Sequence, residues 1–135
     1  MTLFPMFDTT LPARRAVADI VYAYRLILGK RGYPLSLRSF AIALNVILIS
    51  LGEGISHQTV KNWEDRTHLP RTHYMIYIAL QSPNDWRRDF AQDILSALRP
   101  RLYQPATEIG ARALERSLSD TGPHKPRYDN HYLKP

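Results

Sequence analysis

From Pro12 onward, apolar residues recur at Val17, Ile20, Val21, Tyr24, Ile27 and Leu28, the i, i+3, i+4, i+7 spacing that lines one face of an α-helix. Arg14, Arg15, Asp19 and Arg25 fall on the other faces, so the pattern predicts an amphipathic helix over about 12–29. Gly29 and Gly32 end it, and Pro34 forbids continuation. Ser36 is placed to cap a second helix whose inner stripe is Leu37, Phe40, Ala41 and Leu44. Beyond Asn45 the run from Val46 to Leu51 is apolar on nearly every face. A continued helix and an irregular buried segment both fit it, and periodicity does not choose between them. Gly52-Glu53-Gly54 breaks whatever precedes it.

Ser56 begins a short third helix through about Arg66, with Val60 and Trp63 inward and Thr59 partly covered. A fourth, over about 71–81, packs Met75, Ile78 and Ala79. Ser82 as N-cap, Pro83 at the first helical position and Asp85 in the first turn predict a fifth, with Phe90, Ala91, Ile94, Leu95 and Leu98 inward and Pro100 as its stop. Pro105 opens a sixth through about Ser119, with Ile109, Ala113, Leu114 and Leu118 on its inner face. Residues 121–135 combine three prolines with little aliphatic content and read as a mobile basic tail. No alternating strand pattern and no internal repeat occur. The expectation is an all-α fold, a compact bundle of five to six helices forming a single domain over residues 1–120, with helices over 84–98 and 105–119 added to a central unit.

A chain of 135 residues suffices for one domain with its own core, without help from a metal or a disulfide. There is no cysteine, which removes disulfides, thiolate zinc sites and cysteine nucleophiles and fits a reducing, cytoplasmic setting. The longest apolar run is far too short to span a bilayer, and the first eight residues have neither the basic flank nor the cleavage site of a signal peptide. No membrane partner is therefore expected. A formal charge of +6 favours a polyanionic partner. Yet residues 36–83 hold four basic and three acidic side chains, with the excess lying toward the two ends. A nucleic-acid reading must therefore come from residue identity and not from a basic block.

That identity is found between Ile55 and Arg66. A helix that reads DNA needs an apolar side fixing it to a scaffold, a first turn exposing base-edge donors and acceptors, and hydroxyl or basic groups at phosphate distance. Here Val60 and Trp63 form the anchor, Ser56, His57, Gln58 and Asn62 face outward, and Thr59 and Lys61 reach toward the backbone. Gln58 and Asn62 are four apart and so share a face, and a carboxamide offers the paired donor and acceptor that matches adenine in the major groove.

The run Ser39-Phe40-Ala41 to Leu44, followed by Ile55-Ser56, Gln58-Thr59-Val60, Trp63-Glu64 and Pro70, resembles the helix-turn-helix of phage-repressor, Cro-like (XRE-type) regulators over about residues 36–80. The resemblance implies a helix-turn-helix over about 36–66 and a bacterial, archaeal or phage-encoded regulator bound to double-stranded DNA. It implies that His57, Gln58 and Asn62 touch bases, and that Ser56 and Thr59 touch phosphates, with Lys61 as a further backbone contact. Two departures stand out. Ten residues, Asn45 to Gly54, separate Leu44 from Ile55 where the family has a short turn. A register without insertion would put Gly54 in the turn and Ser50 on the first helix; the extended turn is preferred because Phe40-Ala41 and Leu44 fit that helix better. The second departure is Arg66, standing where the family often has glycine. An arginine there is expected to take ordinary backbone angles and, with Thr67 and His68, to reach phosphate.

Bland readings apply to the remaining features. Trp63 is a core residue, and in isolation Gln58 and Asn62 would be a solvated face. His57, His68 and His73 lack metal-ligand spacing. Asp85, Asp89 and Asp93 repeat every four residues, as an exposed charged face does. Lys125, Arg127 and Lys134 in the tail serve phosphate contact or solubility equally well. No Ser/His/Asp arrangement, Gly-rich phosphate loop or carboxylate pair rises above chance, so neither enzymatic activity nor a cofactor or metal is expected. Because one such helix reads few base pairs, a homodimer is the natural form, with the apolar 46–51 segment and the C-terminal helices as candidate surfaces. The alternatives are a helix-turn-helix scaffold used as a protein-interaction adaptor, an RNA-binding module served by some of the eight tyrosines, and a DNA-binding accessory factor in recombination or partition.

Overall fold

Ser36, Ser56 and Asp85 each stand in extended backbone just ahead of a helix and turn a side-chain oxygen onto its first amides. The accepted N–H groups are those of Ser39 (3.0 Å), Thr59 (3.2 Å) and Arg87 (2.9 Å). Such caps satisfy donors that a helix start otherwise leaves orphaned, so they set where the helices begin. The structure, a computed structural model, describes residues 3–119, and side chains over 11–117. These residues form six α-helices and no strand: α1 (Leu3–Leu28), α2 (Leu37–Leu48), α3 (His57–Glu64), α4 (Thr72–Gln81), α5 (Trp86–Leu98) and α6 (Glu108–Ser119). None of them is long and apolar enough to cross a membrane. The tail 121–135 and the Leu118 side chain lie outside the described residues.

Three boundaries differ from the pattern. The first helix starts at Leu3, with Pro12 inside it, because a proline in a helix interior forfeits one hydrogen bond without obliging the chain to leave the helix. Ser82 closes α4 instead of opening α5: its N–H reaches Ile78 O (3.0 Å), while the cap of α5 is Asp85. Arg87 clamps that carboxylate (2.7 Å) and holds it below its ordinary pKa. The sixth helix starts at Glu108, three residues past Pro105, because its lead-in amides are taken by a residue of another helix, as follows.

Asp93 of α5 was read as one step in an exposed acidic repeat; it is fully buried. Its carboxylate accepts from the Tyr24 hydroxyl (2.7 Å), the Ala106 and Thr107 amides (2.6 and 3.1 Å) and the Thr107 hydroxyl (2.6 Å). One side chain thereby ties α1, α5 and the start of α6 together. Burial and the carboxylate beside it push the Tyr24 phenol far above its ordinary pKa, so Tyr24 is a permanent donor. Gly110 answers the same geometry, since a Cβ there would overlap the Asp93 carboxylate.

A single core runs through the six helices. Phe40 of α2 and Phe90 of α5 meet edge-to-face with centroids 5.2 Å apart, and Tyr24 meets Phe90 likewise at 5.4 Å. Trp63, Leu44, Leu48, Met75 and Ile78 complete the inner layer, each large apolar side chain contributing about 1.5 to 3 kcal/mol when withdrawn from water.

Replacing Asp93 with Ala removes the acceptor of four donors, and the expected loss is about 3 kcal/mol or more in chemical denaturation. A loss below about 1 kcal/mol would mean that the carboxylate does not organise the α1–α5–α6 junction.

Candidate nucleic-acid interface

The third helix is held at both ends and from beneath. At its start, the Asn45 side chain of α2 pairs with the backbone of Ile55 as a strand neighbour would: Nδ2 donates to Ile55 O and Oδ1 accepts from Ile55 N, both at 2.8 Å. A 3-10 turn (Ile49–Leu51) carries the chain out of α2, and Gly52 (φ +79°) reverses it through the left-handed region that favours glycine. The Tyr74 hydroxyl donates to Glu53 (2.7 Å), securing the loop to α4. Helical geometry persists to Leu48, so Asn45 to Leu48 of the expected Asn45–Gly54 insertion belong to α2, and the chain from Ile49 to Ile55 is folded down by specific bonds.

At its end, α3 closes in a Schellman motif. Arg66 N reaches Trp63 O (3.2 Å) and Thr67 N reaches Asn62 O (3.0 Å), which requires the residue between them to be left-handed. Arg66 has φ +66°, not the ordinary angles expected from an arginine. The hydrogen-bond closure, reinforced by Arg14 donating to Arg66 O (3.3 Å), outweighs the steric cost of about 1 to 2 kcal/mol.

From beneath, Val60 and Trp63 are buried, 0% and 2% exposed. Beside them Glu64 receives a two-pronged contact from Arg25 of α1 (2.8 and 2.7 Å). Arg25 also donates through Nε to Leu35 O (2.8 Å), while Leu35 N donates back to Arg25 O (2.8 Å). Burial pushes the Glu64 carboxyl above its ordinary pKa of 4.5, against the pull of Arg25.

The outward face carries His57, Gln58 and Lys61, all exposed, with Asn62 half-buried where the sequence placed it fully outward. Gln58 and Asn62 do share a face: Gln58 Nε2 donates to Asn62 Oδ1 at 3.0 Å. Lys61 pairs with Asp65 one turn on (2.8 Å), a bond that raises its pKa. Ser56 is exposed but serves as the cap, its hydroxyl also meeting that of Thr59 (3.2 Å). Thr67 donates its hydroxyl proton to Asn62 O (3.1 Å). His68 is exposed and, with Thr59, Asn62, Trp63, Arg71 and Tyr74, lines a half-open polar cleft of about 290 Å³ between α3 and α4. The structure thus gathers His57, Gln58, Asn62 and Lys61 on one short helix and sets Arg66, Thr67 and His68 just past its end.

The sequence alone gives no role to Asn45, Arg25 or Arg71 and names Glu64 only within the Trp63-Glu64 motif. Only Arg71 carried a local signal, a cation directly after Pro70 and so beside the third helix. The others act across long sequence separations. Comparison with known protein families, with characterised proteins and with solved structures finds no match.

Two measurements check this geometry. Arg66→Gly and Arg66→Ala both remove the side chain, but only glycine is at ease at φ +66°, so Arg66→Gly is expected to be about 1 kcal/mol more stable than Arg66→Ala. Equal stabilities would mean that the left-handed closure is lost in solution. The second is a pH profile. Since the folded pKa of Glu64 lies above its unfolded value, the stability it adds is complete below pH 4.5 and is lost as pH rises through the raised value. The stability of the parent relative to Glu64→Gln should therefore fall as the pH rises above 4.5. A difference that grows with pH would show that attraction to Arg25 dominates burial.

Proposed function

We propose that the protein is a sequence-specific double-stranded DNA-binding regulator whose third helix enters the major groove. The reading is carried by the Gln58–Asn62 carboxamide pair, hydrogen-bonded at 3.0 Å on the outer face of a helix that is capped, closed and bolted underneath. With one proton given to Asn62, Gln58 keeps an acceptor oxygen and a second proton, and Asn62 keeps both of its amide protons, a set that fits adenine's N6 and N7. Fixing one amide on the other reduces the rotamer freedom lost on binding. His57, in the first turn, joins them as the third base contact.

Phosphate contacts flank this face. Lys61 and Arg66 supply charge, Ser56 and Thr59 supply hydroxyls at the helix start, and His68 stands past its end with Arg71 across the cleft. Phosphate oxygens only accept, and the single Thr67 hydroxyl proton is already given to Asn62 O, so Thr67 contributes mainly by holding the helix end. Lys61 exchanges Asp65 for phosphate at little cost, because an exposed i, i+4 ion pair is screened by solvent and contributes little. The same features support the likeness to XRE-type regulators: caps on the second and third helices, a buried Val-x-x-Trp anchor, and a left-handed residue after Trp-Glu-Asp.

Selection of bound duplexes from a random pool, followed by footprinting, tests the reading. On the selected site, Gln58→Ala or Asn62→Ala is expected to cost about 1 to 3 kcal/mol and to flatten preference among sequences, whereas Lys61→Ala weakens all duplexes alike and lowers the salt slope by about one. Equal losses on random DNA would remove the amides from base readout. No salt-dependent binding to any duplex would overturn the reading and favour the adaptor.

A further inference from the structure

On the outside of α2 and the 3-10 turn after it, Ile42, Val46 and Ile49 follow one another at i, i+4 and i+7 and are 58%, 59% and 73% exposed. The Ser50 hydroxyl meets that of Tyr77 on α4 (2.5 Å), bringing the turn against α4, where Leu80 is 71% exposed one turn beyond Tyr77; Leu51 adjoins them. Neither residues 39–52 nor residues 72–81 contain a single Asp, Glu, Lys or Arg. Isolated exposed aliphatics are ordinary. Five on adjoining elements with no formal charge between them show the charge depletion that marks the centre of an interface.

We infer that this Ile42–Val46–Ile49–Leu80 face is the homodimer surface, covered by the same face of a second copy of the chain. The five residues expose about 500 Å² of surface, so two copies that cover all of it remove about 1,000 Å² from water, the lower end of what a specific interface needs. A twofold axis near Val46 sets the stripe of one copy antiparallel to that of the other, Ile42 against Ile49 of the second copy, so the pattern is self-complementary. A highly charged partner finds no counter-charge here, and a second copy requires none. The face lies on α2, the 3-10 turn and α4 and includes no residue of α3. Dimerisation concerns the protein without DNA, so it stands or falls separately from the DNA reading.

The test is the molar mass of the full chain, without nucleic acid, by analytical ultracentrifugation over about 1 to 300 µM, the range in which an interface of this small size dissociates. The parent is expected to move from 15.6 kDa toward twice that mass as concentration rises. Ile49→Lys and, independently, Val46→Lys should stay at the monomer mass throughout, with an unchanged helical circular dichroism spectrum. Leu102→Lys, a change at an exposed leucine elsewhere (74%), should dimerise like the parent. A parent that remains monomeric, or lysine variants that dimerise as well as Leu102→Lys, would overturn the assignment.

Discussion

The position of α3 depends on the pair between Arg25 and Glu64. Arg25 sits near the end of the long first helix with only 9% of its surface exposed, and it points at two things at once: the Glu64 carboxylate on α3 and the Leu35 carbonyl just before α2. A guanidinium presents rigid donors in fixed directions, so satisfying both partners leaves little latitude for where α3 sits relative to α1 and the entry to α2. Withdrawing a carboxylate from water opposes its ionisation, and the raised pKa of Glu64 shows that the withdrawal outweighs what Arg25 returns. The pair contributes registry more than stability. Val60 and Trp63 supply the adhesion beside it, which is non-directional and cannot by itself say which way the helix faces.

The same division of labour recurs where side chains stand in for backbone. Asn45 completes both hydrogen bonds of Ile55 in a loop that has no strand to pair with, and Asp93 takes the amides that precede α6. In each case a short polar side chain from one helix satisfies the backbone at the beginning of another, so the start of the second helix is fixed by the first. Buried polar groups left without partners are costly, and these two sites convert that cost into positional information.

The surface is divided as well. The outer side of α3 is polar and crowded with donors, while the outer side of α2 is aliphatic from Ile42 to Ile49 and without charge. The two helices α2 and α3 carry different chemistry. The extended turn separates them: the 3-10 turn and Gly52 carry the apolar stripe past the end of α2 before the chain bends back to Ser56.

Much of this architecture is legible in the residues themselves. Apolar spacing located six helices, Ser36 and Ser56 marked two starts, and the Val60–Trp63 spacing identified the buried side of α3, because those signals depend on neighbours within a turn or two along the chain. What required the tertiary structure is whatever joins residues far apart in sequence. Asp93 belongs to an acidic repeat when only α5 is considered, and becomes a buried cap once Tyr24 and Thr107 arrive beside it. Ser82 and Asp85 both suit an N-cap, and the Arg87 clamp goes with Asp85. Arg66 occupies a glycine's conformation because the closure of α3 and Arg14 from α1 hold it there, which no local preference of arginine would indicate. Local chemistry determined which segments are helices and which faces they bury; the long-range hydrogen bonds of Arg25, Asn45 and Asp93 decided how those segments are joined.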